Sequence, residues 1–397
     1  MRLVGDVMVD LDDPGLNIRY QDGTRRIRSP EETLEFISPK LSAMGITRLA
    51  DVTQLDRLGI HTCCAIRPTA SVSQVSNGKG TSKMAAMVSA AMESAELFHA
   101  ENPEPERFRY AKEADLDNAV VDHKSLNSFR SEYYFGSGQK IHWVKAKNAV
   151  TNEAVWVPAA SIYFSQNDRV HTPSTNGLAS GNHIIEAALH GLYEVIERDA
   201  GSLLSENGKI RLRERGRVVD QATISDLGIR SLVEAIDSES KLVLCHIESR
   251  VDVHTFWAIL LNRPGGHPLT MLNPGWGTHR DMATAASRAI TEAAQSRLTM
   301  IHGAREDIME LEGYSQTNVE SSPAYRYFSN LKSNSSWADL PAYSPASDNL
   351  FEDWNALLEM LSSENLSVLA YDLSREDLNI PVVKIIVPRL GFNQRMF

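Results

Sequence analysis

Ser89, Glu93 and Glu96 stand at i, i+4 and i+7 of a stretch, Met84 to Phe98, that is otherwise apolar nearly all round. A helix turning about 100° per residue puts all three on one face. No Lys or Arg lies one turn away to neutralise the two carboxylates. Carboxylates buried without a partner cost several kcal/mol each, so they need a proton, a cation from elsewhere in the fold or a metal. A second apolar stretch, Ile184 to Arg198, carries Glu186, Glu194 and Glu197 at i, i+8 and i+11, again on one side. A third, rich in alanine, carries Arg288, Glu292 and Gln295 at i, i+4 and i+7, with Arg297 close by.

One glutamate on a helix is ordinarily solvated and carries no message. Three apolar helices with the same oddity point instead to a shared site of hard oxygen donors, which suits Mg²⁺. Magnesium keeps several waters and commonly shares its shell with phosphates, and Lys79, Arg198, Arg297 and Arg305 are placed to face such phosphates. Gly78-Lys79-Gly80 lacks the first glycine and the spacing of a Walker A loop, so this nucleotide site is built without one. His99 and His190 ride on the glutamate helices and are the candidates for a general base, although a hydrogen-bonded structural histidine is the commoner role. His171 precedes the loop into the second helix and is a further residue that could approach the site.

The elements that position these residues follow from caps, turns and periodicity. Ser29-Pro30-Glu31-Glu32 opens a capped helix expected to run to about Met44, with Gly45 as its stop. Ile60 to Arg67 reads as a strand closed by Pro68, and Asn77-Gly78-Lys79-Gly80 as a turn feeding the first glutamate helix, Lys83 to His99. A hairpin is expected between Lys140 and Phe164, turning near Thr151-Asn152, with Trp143 and Trp156 in its core. Thr172 to Gly177 is a loop, and the second glutamate helix runs from about His183 to Asp199. Strands at Lys241–Glu248 and His254–Asn262 precede the third helix, Ala283 to His302. The serine-rich Tyr314–Asn349 region reads as a long surface loop, and a helix at Phe351–Leu361 with strands at Ser367–Asp372 and Val382–Val387 completes the chain. Helices and strands mix throughout with no repeat and no linker, so the fold class is α+β in one intertwined unit.

Composition bounds the partners. The 397 residues suffice for a large core, and 42% hydrophobic with 23% charged residues is ordinary for a globular protein. A net charge of −11 argues against broad binding to nucleic acid or to an anionic membrane. Cys63, Cys64 and Cys245 include no C-x-x-C pair, which argues against a disulfide framework or a cysteine zinc site, and buried structural thiols are expected. No apolar run is long enough to span a bilayer and the first residues lack a signal-peptide core, so the expected location is the cytoplasm.

The three glutamate segments resemble the YcaO family, which is marked by an S-x3-E-x2-E-R helix, a glutamate-rich helix after an S/A-G-N turn, and an E-x2-Q-x-R helix. Ser89, Glu93 and Glu96 match the first; Asn182, Glu186, Glu194, Glu197 and Arg198 the second; Glu292, Gln295 and Arg297 the third, with Arg305 following. The likeness covers roughly Ile60 to Pro388. It implies a YcaO-type fold of mixed β-sheets with buried helices forming a nucleotide site, residues 1–59 packing on it as an N-terminal extension and 60–397 forming the ATP-binding catalytic domain. It also implies ATP and Mg²⁺ as cofactors. Glu93, Glu96, Glu194 and Glu197 would hold the metal; Lys79, Ser89, Glu93, Glu96, Asn182, Glu186, Arg198, Glu292, Gln295, Arg297 and Arg305 would line the nucleotide site.

Two departures stand out, the first bearing on a phosphate contact and the second on azoline formation. Leu97 stands where many members have Arg, and Val387 to Phe397 lacks the proline-rich tail typical of azoline-forming cyclodehydratases. Gly45-Ile46-Thr47-Arg48, Leu55 to Ile60, and Met92 to Glu101 look like the branch encoded beside TfuA-type partners, which is associated with backbone thioamides. The resemblance therefore implies a peptide or protein substrate, a TfuA-like partner, sulfide or a sulfur carrier as donor, and a chain that could form a homodimer. The rival products are azolines from Cys, Ser or Thr of a precursor peptide; rival classes are a nucleotide-binding scaffold without turnover and a metal-dependent hydrolase that needs no nucleotide.

Overall fold

The computed structural model describes residues 2–4, 7–9, 14–117, 119–164, 169–206, 209–263, 270–303 and 322–393. Three sheets carry the fold. Arg48–Asp51, His61–Ile66 and Val75–Gly80 form a three-stranded antiparallel sheet. A four-stranded antiparallel sheet runs Gly216–Val218, Ser240–Ile247, His254–Asn262, Leu272–His279. A seven-stranded mixed sheet runs Leu178–Ser180, Val382–Ile386, Leu369–Asp372, Ile141–Asn148, Ala154–Pro158, Ala119–Val120, with Arg109–Ala111 also paired to Ile141–Asn148. Five helices matter to the site: α1 (Pro30–Ile37), α2 (Lys83–Glu101), α3 (Ile184–Leu204), α4 (Met282–His302) and α5 (Leu350–Ser363). Among the described residues no helix is long and apolar enough to cross a membrane.

The chain mixes α and β elements throughout, and its N-terminal segment meets the segment that leads into α5. Ile18 donates its N–H to the Asp348 carbonyl at 2.7 Å, and Arg25 pairs with Asp348 at 2.8 Å. The apolar faces of α3 and α5 share one core with the Val382–Ile386 strand, while α2 packs in another with the Ile141–Pro158 hairpin. Asn152 at φ 62° makes the turn of that hairpin, and Trp143 and Trp156 are buried in it.

Three elements differ from the sequence expectation. The capping box of α1 is present, yet the helix stops at Ile37 rather than Met44; Pro39 lies where the ladder would continue, and the chain passes through a 3₁₀ turn to Gly45 at φ +74°. Asn77–Gly80 is not a turn but the end of the Val75–Gly80 strand. Its glycines are there for approach: a Cβ on Gly78 would stand 2.0 Å from the Ala90 nitrogen and 2.3 Å from the Ala86 oxygen of α2. The Tyr314–Asn349 region is not a bare loop in its described part, which includes a helix at Pro323–Ser329 and a buried Trp337 stacked on Phe256.

The Leu272–His279 strand repeats the glycine device on the other sheet. A Cβ on Gly275 would meet the Ala293 nitrogen at 2.1 Å and the Ala289 oxygen at 2.3 Å, so α4 lies directly on that strand. Two of the three glutamate-bearing helices, α2 and α4, are thus set against glycine strands at backbone contact.

Candidate functional site

The Val75–Gly80 strand touches α2 through its glycines and α4 through its other groups. Lys79 reaches Glu292 of α4 at 2.5 Å, and Gln295 donates its amide N–H to the Asn77 carbonyl at 2.7 Å. Glu292 also accepts from the Trp276 N–H at 3.3 Å. On α3, Arg198 stands 3.5 Å from Glu194, one turn away. Glu96 of α2 accepts from both the N–H and the hydroxyl of Ser180, at 2.8 and 2.6 Å, which ties α2 to the segment leading into α3. A cavity of about 230 Å³ is lined by Thr175, Asn176, Glu194, Arg198, Trp276 and Glu292. That is smaller than the roughly 300–1,000 Å³ of sites that enclose a whole drug-sized ligand, and suits the polyphosphate end of one.

The charges in this region act on one another. Burial pushes the Glu96 carboxyl up to about 8, and the neighbouring Glu93 and Glu194 push the same way against the Ser180 hydrogen bonds. Burial also raises Glu194, and raises Glu197 with help from Glu292. Glu292 departs from this pattern: burial pushes it up, but Lys79 in contact with it, Arg198 and the Trp276 N–H together hold it below the ordinary range. Arg288 is pulled down by burial beside Glu197, and Lys384, buried on the Val382–Ile386 strand, is lowered to about 8 by burial with Glu194 opposing. Arg288 was noted in the sequence only as part of a helical pattern, and Lys384 was missed. A lone lysine in the apolar run Pro381-Val382-Val383-Lys384-Ile385-Ile386 was the signal available for it.

Among the described residues no group of three or more His, Cys, Asp or Glu side chains stands close enough to hold a metal ion as they are. The donor chemistry nonetheless fits Mg²⁺, because buried carboxylates from α2 and α3 disfavour one another's charge and gain from a hard cation. The surroundings fit an anion as well: the Arg288 Nε and the His190 Nδ1 are buried with no hydrogen-bond partner in the structure.

Other sequence candidates are used elsewhere. Glu186 is saturated by Arg26 at 3.1 Å, the Ile27 N–H at 3.0 Å, and the backbone and side-chain N–H groups of Asn182 at 3.0 Å each. Asn182 itself accepts from Thr33 at 2.9 Å, so these two residues pin the N-terminal segment to α3. Arg297 is locked in a buried two-armed pair with Asp56, at 2.7 and 3.1 Å, and bonds Asn262 as well. In this structure Arg297 thus ties α4 to the segment that carries Asp56. Ser89 is half-buried on α2, and Arg305 lies outside the described residues.

The histidines divide. His99 bonds the Ala95 carbonyl at 2.7 Å and is lowered to about 4, chiefly by burial, with Arg375 and Asp377 as its charged neighbours; it is structural. His190 is kept neutral by burial beside Arg288, Arg26 and Lys79. His171 is engaged by its own neighbours: it pairs with His123 at 3.1 Å and Ser128 at 3.0 Å. Burial pushes the Cys63 thiol up to about 12 and Cys64 to about 11, the behaviour of inert thiols.

Glu96→Gln gives a pH test of this electrostatics. A carboxyl whose folded pKa is raised from 4.5 to about 8 contributes stability that is full below the lower value and lost as pH rises through the higher. In chelator, the wild-type melting temperature is expected to fall by several degrees between pH 5 and 9, and the fall to be smaller in Glu96→Gln. Parallel curves for the two proteins would show that Glu96 titrates normally.

Comparison with known proteins gives the same region a family. The family model described as "YcaO cyclodehydratase, ATP-ad Mg2+-binding" matches residues 77–391. An uncharacterized protein of Methanothermobacter thermautotrophicus is 35% identical over 384 residues, covering 91% of this chain and 94% of that one. A Rhizobium leguminosarum bv. trifolii protein described as lying in the tfuA 3′ region is 33% identical over 305 residues, 71% of this chain and 69% of its own. The structure of YcaO from Methanopyrus kandleri bound with AMPPCP and Mg²⁺ superimposes with a TM-score of 0.76 at 24% identity, covering 95% of each chain.

Proposed function

The chain belongs to the YcaO family, whose members bind ATP and Mg²⁺, and on that premise we propose that it activates a peptide backbone amide for replacement of its oxygen by sulfur. The observation that carries the reading is one cavity lined by Glu194, Arg198 and Glu292, with Lys79 paired to Glu292 and with Glu96, Glu197 and Arg288 acting on these charges from close by, and with no P-loop. In this reading Glu93, Glu96, Glu194 and Glu197 hold Mg²⁺, which supplies charge neutralisation at the phosphates. Lys79, Arg198 and Arg288 face the phosphates, and Ser89 and Gln295 line the nucleotide. Glu186, Asn182 and Arg297 hold the frame that positions them.

The net reaction is balanced by ATP. Sulfide adds to the carbonyl carbon, the carbonyl oxygen leaves as phosphate, and the products are a thioamide, ADP and phosphate. The protein's contribution is to orient the amide, exclude water and stabilise developing charge with fixed cations. Lys384, near Glu194, is a fourth such cation. The position of one relative in a tfuA 3′ region supports a TfuA-like partner for delivery of substrate or sulfur. The cyclodehydratase description of the family favours a second reading, azoline formation on a precursor peptide.

Product mass separates them. With ATP, Mg²⁺, sulfide, partner and peptide, the expected product is heavier by the exchange of oxygen for sulfur. A product lighter by one water would establish the azoline reading, and no ATP hydrolysis with every component present would leave a scaffold.

A further inference from the structure

A second pocket, about 460 Å³, opens between Tyr110, Tyr133, Phe135, Lys140, His142 and Arg169, on the seven-stranded sheet side of the molecule. Its aromatic residues are out in solvent: Phe135 is 85% exposed, Tyr110 61% and Tyr133 41%. Three large rings left in water around one depression are the mark of a surface made to be covered. Of these rings Tyr110 is held in place, since it lies 4.8 Å from the His142 ring and Lys140 stands over it at 6.0 Å.

The charge here runs against that of the whole chain. The protein has forty basic and fifty-one acidic residues, yet from Asp122 to Lys147 it has Lys124, Arg130, Lys140, Lys145 and Lys147 against Asp122 and Glu132, with Lys145 paired to Asp117 and Lys140 on the pocket wall. Arg169 adds a further cation to the pocket wall. The pocket is also joined to the nucleotide cavity by one stretch of chain. Arg169 lines the first, Thr175 and Asn176 line the second, and residues 170–172 are fixed between them by Arg130 N–H to Val170 and Thr172 N–H to Ser128, each at 2.8 Å. Six residues of extended chain span at most about 21 Å.

We propose that this pocket holds the flank of the substrate peptide, a segment with acidic and aromatic side chains, while the amide a few residues away lies at the nucleotide cavity. The proposal rests on the peptide-modifying reading above for the identity of the occupant. Aromatic side chains of the peptide stack on Tyr110 and Phe135, and its carboxylates meet Lys140 and Arg169. The cations set the sign of the flank and so act as a filter on which peptides are presented.

The test uses short fluorescein-labelled peptides, one alternating Asp and Phe and one alternating Lys and Phe, followed by anisotropy. The wild type is expected to bind the acidic peptide at least tenfold tighter. Lys140→Glu combined with Arg169→Glu is expected to reverse that preference, which a merely misfolded variant would not do, and Phe135→Ser to weaken both peptides. Equal binding of the two peptides, binding of neither, or a preference unchanged in the double variant would overturn the proposal. So would a wild-type dimer, seen by sedimentation, that the double variant dissolves, because the surface would then belong to a second copy of the chain. Calorimetric binding of an ATP analogue is expected to be the same in all these variants. Its absence in the wild type would sink the nucleotide reading while the peptide result stood on its own.

Discussion

Glu197→Gln is expected to weaken magnesium-dependent nucleotide binding by about a hundredfold, within the roughly 2–5 kcal/mol that follows removal of one member of a buried charge pair. The carboxyl of Glu197 is buried, and it is raised by that burial and by Glu292. In the absence of metal this crowding is a burden on the fold. The amide relieves it, so the variant is expected to be at least as stable as the wild type in chelator near pH 8. Loss of binding with no loss of stability is the signature of a residue kept for its ligand. Calorimetry with a non-hydrolysable ATP analogue, with and without Mg²⁺, reads the first half, and thermal denaturation the second. Glu93→Gln is expected to behave likewise on the α2 side. Unchanged affinity in Glu197→Gln would remove Glu197 from the metal site.

Gly78→Ala is expected to be among the most damaging single methyl groups that could be added to this protein. The new Cβ would lie 2.0 Å from one backbone atom of α2 and 2.3 Å from another, and neither belongs to a side chain that can turn aside. Overpacking against backbone forces the helix off its strand, and a cost of about 4 kcal/mol or more is expected, with loss of soluble protein on expression. Gly138→Ala is the control: nothing lies within 4 Å of its added Cβ, and a change within about 0.5 kcal/mol is expected. A cooperatively folded Gly78→Ala protein with an unshifted melting temperature would mean that α2 does not depend on this contact.

These two residues also show what was legible in the sequence. The glutamate helices declared themselves, because unpaired carboxylates on all-apolar stretches have few explanations, and α2, α3 and α4 lie within a few residues of their expected bounds. The strands they rest on did not. Val75–Gly80 and Leu272–His279 carry Gly-Lys-Gly and Pro-Gly-Trp-Gly, which by local propensity are turn sequences. Only the tertiary contact with an alanine-rich helix makes glycine the fitting strand residue there, and that contact joins residues far apart in the chain. The same limit applied to Arg297, whose helical spacing promised a phosphate contact; its partner Asp56 comes from the N-terminal segment, and no periodicity reveals such a pairing. Glu186 was read correctly as a buried acid on α3 but not as an anchor for Arg26 and Ile27.

The two glycine seams have a mechanical consequence. A helix seated backbone to backbone is indexed like a shaft in a keyway: slipping by one residue would move it about 1.5 Å and turn it about 100°, driving a side chain into the strand. The bearing of the glutamates on α2 and α4 is therefore set by the glycines on which those two helices are seated. Freedom to adjust around the cavity is left to the connecting segments, such as 172–177, which is tethered at Ser174 by the buried Lys384 at 2.5 Å and borders the cavity at Thr175 and Asn176.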